Sequence, residues 1–69
     1  MDKLIAICNY GNGLPKENVY VNVDENECYR WYDSMGMSDD YYYSEREALD
    51  AFIEFMESEN QDCAIMECI

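Results

Sequence analysis

Apolar residues follow two different spacings along this chain, and the change between them divides it into elements. Residues 3–10, KLIAICNY, form a short apolar run with polar flanks, which reads as a buried strand. Residues 10–15, YGNGLP, carry turn chemistry: two glycines suited to positive φ and a proline that ends pairing. Val19, Val21 and Val23 then alternate with Tyr20 and Asn22, the period of a half-buried strand. Residues 24–27, DENE, are a polar turn, and residues 28–33, CYRWYD, alternate again, so 19–33 reads as a β-hairpin. One face of that third strand offers Cys28, Arg30 and Tyr32, and the other Tyr29, Trp31 and Asp33. Alternation alone leaves either face open as the buried one.

Residues 34–40, SMGMSDD, read as a loop, and Tyr41, Tyr42 and Tyr43 as either a short strand or an aromatic lead-in packed on a helix start. The helix itself is the best-specified element. Across residues 44–58, SEREALDAFIEFMES, the apolar positions Ala48, Leu49, Phe52, Ile53 and Met56 form one stripe of the 3.6-residue period. Ser44 followed by Glu47 is the S-x-x-E pattern of a capping box. Residues 59–62, ENQD, break the helix, and residues 63–69, CAIMECI, close the chain as a last strand. The order β-β-β-(β)-α-β predicts a small two-layer α+β domain. Three to five strands form a mostly antiparallel sheet, with one helix packed on one face. The whole chain, residues 1–69, is read as a single domain.

Charge changes this picture more than composition does. Sixteen Asp and Glu against four Lys and Arg leave a net charge of -12. A small domain needs a magnitude of only about 2 to 8 for solubility, and the excess repels itself in the folded state. Such a surface repels nucleic acid and anionic membranes and attracts basic proteins, so direct nucleic-acid binding and membrane association are not expected. The apolar run after Met1, Asp2 and Lys3 is too short for a secretory h-region and lacks a cleavage site. No run approaches the roughly 20 apolar residues of a membrane span. The expected location is the cytoplasm, where Cys8, Cys28, Cys63 and Cys68 stay reduced.

Those four cysteines form no C-x-x-C pair, so a structural zinc is not expected, and with no histidine the commonest general base is absent. The cysteines read as small hydrophobes. The serines lie outside any G-x-S-x-G elbow. Residues 24–27 resemble the start of a calcium loop in acidity only, because the glycine of its sharp turn is replaced by Tyr29. No enzyme activity, cofactor or dedicated metal site is expected.

What remains is a surface. Glu47, Asp50, Glu54 and Glu57 follow a 3-4-3 spacing and line up on the outer side of the helix, about 4.5 to 6 Å apart along its axis. Like charges so placed repel one another, and no lysine matches them along the stripe, so helix stability does not account for them. Asp39, Asp40, Glu45 and Tyr41 flank the helix, and Asp24, Glu25 and Glu27 form a second acidic patch. DNA carries a phosphate about every 3.4 Å along each strand, and the acidic stripe offers carboxylates at comparable density.

In size, charge and layout the chain resembles the small acidic inhibitors that bacteriophages and mobile elements direct against host nucleic-acid machinery. It is most like the anti-CRISPR proteins that imitate double-stranded DNA. The resemblance implies a non-enzymatic inhibitor of the host bacterial cytoplasm, monomeric or weakly dimeric. Its partner would be the basic DNA-binding surface of a CRISPR effector, Cascade or a Cas protein, blocked against target DNA. Glu47, Asp50, Glu54, Glu57, Asp39, Asp40, Glu45, Tyr41, Asp24, Glu25 and Glu27 would make the contact. The reading from a different class is an acidic protein-interaction module unrelated to nucleic acid, self-associating through an exposed strand.

Overall fold

A computed structural model describes residues 2–69. Five strands, β1 (Asp2–Asn9), β2 (Glu17–Val23), β3 (Tyr29–Asp33), β4 (Gly36–Met37) and β5 (Ala64–Glu67), form one sheet in the order β4-β3-β2-β1-β5. Every neighbouring pair is antiparallel. A single helix, α1 (Glu45–Ser58), covers one face, giving the two-layer α+β domain that the residue pattern predicts.

The core lies between α1 and the inner face of β1, β2 and β3. Leu49, Phe52 and Met56 from the helix meet Ile5, Val19, Val21 and Trp31 from the sheet. Trp31 stands edge-on to Phe52, ring centroids 5.1 Å apart at 70°, within the range of favourable aromatic pairs. The inward face of β3 is therefore the Trp31 face. On the other side Tyr32 stacks on Tyr20 at 5.6 Å, and its hydroxyl donates to Asp2. Register decides this: Val21 opposes Trp31, and Tyr20 opposes Tyr32.

The apolar run of β1 contains a register shift between Leu4 and Ala6. One extra residue there turns the pleat over, so Ile5 and Ala6, adjacent in sequence, are both fully buried, as is Cys8. The turn after β1 uses its glycines as expected. Gly11, Asn12 and Gly13 take φ of +74°, +54° and +77° in succession, and Asn9 Oδ1 accepts the Gly11 N–H at 2.9 Å.

The helix begins at its expected cap. Ser44 Oγ accepts the Glu47 N–H at 3.1 Å, while Glu47 Oε2 accepts the Tyr43 N–H at 3.0 Å rather than that of the cap residue itself. It ends on Asn60, φ +54°, whose N–H donates to Glu57 O, with the Gln61 N–H donating to Met56 O. That is the paired bonding of a Schellman ending, with asparagine in the left-handed position.

Residues 34–40, expected as a loop, contain β4. Asp33 makes this possible. Its Oδ1 accepts the N–H groups of Met35 and Gly36, at 2.9 and 3.1 Å, and closes a two-residue turn that returns Met37 opposite Tyr32. Of the three tyrosines before the helix, only Tyr42 pairs, exchanging both backbone bonds with Tyr29 at 2.8 Å. Tyr42 also packs against the core. Tyr43, next to the cap, is 81% exposed and staples nothing.

Candidate partner-binding surface

Three of the four basic side chains are held in contacts within the domain. Lys3, brought to the helix side of the sheet, reaches Glu45 at 3.0 Å. Arg46 bridges Asp50 at 2.7 Å and Glu67 at 2.9 Å, tying the first turn of α1 to the edge strand β5. Arg30, on the opposite face of the sheet, donates from Nε to Ser38 O at 2.9 Å and lies 5.0 Å over the Tyr41 ring. Arg46 is thus held toward β5 and Arg30 behind the sheet, while Lys16, in the turn before β2, makes no ion pair among the described residues.

This divides the acidic stripe of α1 into two kinds of carboxylate. Glu45 and Glu47 stand in the first turn, where the positive end of the helix dipole favours them. Glu47 also completes the cap, and Asp50 has Arg46 as a neighbour. These three acids have structural partners; as expected no lysine matches the stripe, but Arg46 pairs with its Asp50. Glu54 and Glu57 do not. They lie toward the negative end of the helix, whose last turn holds no basic residue. Among the described residues neither side chain has an ion-pair or hydrogen-bond partner.

Glu54 does find acidic company. The helix and the β3–β4 hairpin diverge and leave an open groove of about 1070 Å³ between them. Trp31, Met35, Phe55 and Met56 supply apolar surface to it. Glu54 and Glu59 line it from the helix side, Asp39 and Asp40 from the loop after β4, and Glu17 and Asp33 from the strands. No Lys or Arg among the described residues lines it. Burial, then the Asp40 and Glu54 carboxylates, push the Tyr42 phenol above its ordinary value; burial first does the same to Tyr10. The Glu17 carboxyl is held below the usual carboxylate range by Ser34, through its hydroxyl and its backbone N–H, the latter 2.8 Å away.

The structure thus brings together three of the residues singled out from sequence, Glu54, Asp39 and Asp40. Tyr41 stands apart, stacked under Arg30 on the other side of the loop. Asp24, Glu25 and Glu27 belong to the β2–β3 turn and do not line the groove. Asp24 has a local task there, accepting the Asn26 and Cys28 N–H groups at 2.8 and 3.0 Å. The groove residues that sequence reading missed are Glu17, Asp33, Met35 and Phe55. Phe55 sits one step off the apolar stripe, and Met35 sits in a segment read as loop. Their unpaired apolar character was the one available signal.

Among the described residues, no group of three or more His, Cys, Asp or Glu side chains is arranged to hold a metal ion. No helix there is long and apolar enough to cross a membrane. Comparison with protein families, curated proteins and solved structures finds no match to this chain. The functional reading therefore rests on the surface itself.

Proposed function

We propose that this protein is a non-enzymatic inhibitor that binds a basic, DNA-holding surface and keeps DNA from it, in the manner of the anti-CRISPR DNA mimics it resembles. The observation that carries this reading is the distribution of charge. A domain with a net charge of -12 ties Lys3, Arg30 and Arg46 into internal contacts. It leaves Glu54, Glu57, Asp39 and Asp40 without side-chain partners among the described residues. Self-repulsion of that size destabilises the fold, and a partner rich in Lys and Arg relieves it. A protein groove built for phosphates would accept such carboxylates and lose them as salt rises, the same dependence it shows for DNA.

The test is electrophoretic competition on a CRISPR effector of the Cascade type. The protein should displace target DNA, with log affinity falling steeply and linearly against log salt. Displacement indifferent to salt, or none on any basic DNA-binding protein captured from a host lysate, sinks the reading. One observation favours the second reading, an acidic interaction module with no link to nucleic acid. The groove has an apolar floor, which imitation of a phosphate backbone does not require.

A further inference from the structure

The groove beside α1 combines features that separately mean little. Its apolar side chains are accessible: Met35 is 90% exposed and Phe55 42%. Single exposed hydrophobes are ordinary on a protein surface, but contiguous ones in a concavity mark a contact site. Trp31, 7% exposed, closes the floor beneath them, and its ring is 5.1 Å from that of Phe55. Aromatic and methionine side chains are the types enriched at the centres of protein interfaces. Methionine in particular adapts its shape to different occupants.

The walls decide which occupant. Asp39 and Asp40 stand on one side and Glu54 and Glu59 on the other, with no Lys or Arg among the described residues that line the groove. The side chains of these four make no hydrogen bond or ion pair among the described residues. A second copy of this chain would bring another charge of -12 to that surface, and nucleic acid would bring phosphates. Both are repelled. Ligand pockets for small molecules run to about 300–1000 Å³, so a groove of about 1070 Å³ has room for several side chains.

We propose that this groove docks a basic amphipathic segment of another protein. A large apolar side chain of that segment lies on Met35 and Phe55 above Trp31, and flanking Lys or Arg side chains reach Asp39, Asp40, Glu54 and Glu59. The proposal rests on the reading of the chain as a binder of basic protein, and it moves the main contact from the outer face of α1 into the groove.

Trp31 is the single tryptophan and reports on the groove. Two synthetic peptides of equal length and charge serve as probes, one alternating Lys with Leu and one alternating Lys with Gly. The Lys/Leu peptide should shift Trp31 fluorescence and bind about tenfold more tightly than the Lys/Gly peptide. Amide shifts on the intact protein should centre on Trp31, Met35 and Phe55. Met35→Ser, at an exposed turn position, should erase most of the difference between the peptides, and Glu54→Lys should weaken both. Equal binding of the two peptides, or shifts centred on Asp24, Glu25 and Glu27, overturns the proposal. A concentration-dependent Trp31 shift without peptide overturns it in favour of self-association. DNA displacement that survives Met35→Ser in full also overturns the groove, and leaves the DNA-mimic reading standing. Selective Lys/Leu binding without DNA displacement upholds the groove and removes that reading.

Discussion

Arg46 reaches Asp50 at 2.7 Å across one turn of α1 and Glu67 at 2.9 Å on β5, so one arginine ties helix, acidic stripe and sheet edge together. Asp50 is in consequence a different kind of acid from Glu54 and Glu57, four and seven residues further along the same side. The three side chains of the network are about half exposed, and exposed pairs of this kind contribute about 0.2–1 kcal/mol each.

Arg46→Ala should therefore cost at most about 1 kcal/mol of stability, a loss that shrinks with added salt. Glu54→Lys combined with Glu57→Lys should leave the domain at least as stable, because it relieves repulsion at the negative end of the helix. The same double variant should weaken competition with DNA. Urea unfolding of both variants at low and high salt checks the first two statements. A large loss of stability from Glu54→Lys would mean that this carboxylate has a structural task.

Helix start and core should differ sharply in cost. Ser44→Ala removes the acceptor for the Glu47 N–H and should cost about 1 kcal/mol. In a domain of this size that lowers Tm by about 4–8 °C. Phe52 is fully buried against Trp31, and Phe52→Ala should cost about 3–5 kcal/mol. A domain of this length has about 3–10 kcal/mol in total, so that variant should lose a third or more of its stability. Circular dichroism melts of the two separate the effects.

The Tyr32 hydroxyl donates to the Asp2 carboxylate, and this one bond acts on stability at both ends of the pH scale. Accepting the Tyr32 bond first, and that of Asn22 next, holds the Asp2 carboxyl below the usual carboxylate range. Its contribution is present above the unfolded value of about 3.9 and is lost as pH falls through the lower folded value. Tyr32 is pushed up to about 12, chiefly by the same bond. That contribution is complete below the unfolded value of about 10 and disappears as pH rises through about 12. Tyr32→Phe should remove the alkaline dependence and reduce the acid one, the Asn22 bond to Asp2 remaining. Spectrophotometric titration of the tyrosines should show one late-ionising phenol fewer in that variant.

The cysteines should react in order of burial. Cys68 is exposed, Cys28 and Cys63 are half-buried, and Cys8 is fully buried. Burial, and then the neighbouring Cys63, push the Cys8 thiol up to about 12, so almost none of it is the reactive thiolate near neutral pH. A thiol reagent added to the native protein should modify Cys68 first and Cys8 only on unfolding. Mass spectrometry of timed, quenched samples reads this directly. Rapid labelling of Cys8 would mean that β1 opens locally.

What the residues determined by themselves is what depends on near neighbours in the chain. The S-x-x-E cap, the apolar stripe from Ala48 to Met56, the glycine turn at 11–13 and the valine alternation of β2 are set within a few residues. Each appears in the structure as its pattern predicts, except that Glu47 of the cap accepts from Tyr43 instead of Ser44. The tertiary structure decided everything that needed a partner from elsewhere. The buried face of β3 followed from register against Val21, and the paired burial of Ile5 and Ala6 from an extra residue in β1. β4 exists because Asp33 closes its turn and β3 offers an edge to pair with. The acidic stripe, uniform on a helical projection, was sorted by contact. A cap, a dipole and Arg46 account for its beginning, while Glu54 turned out to share a groove with Asp39 and Asp40. Charge along a chain is additive and local in sequence, but whether a carboxylate is neutralised depends on which cation folding brings within reach.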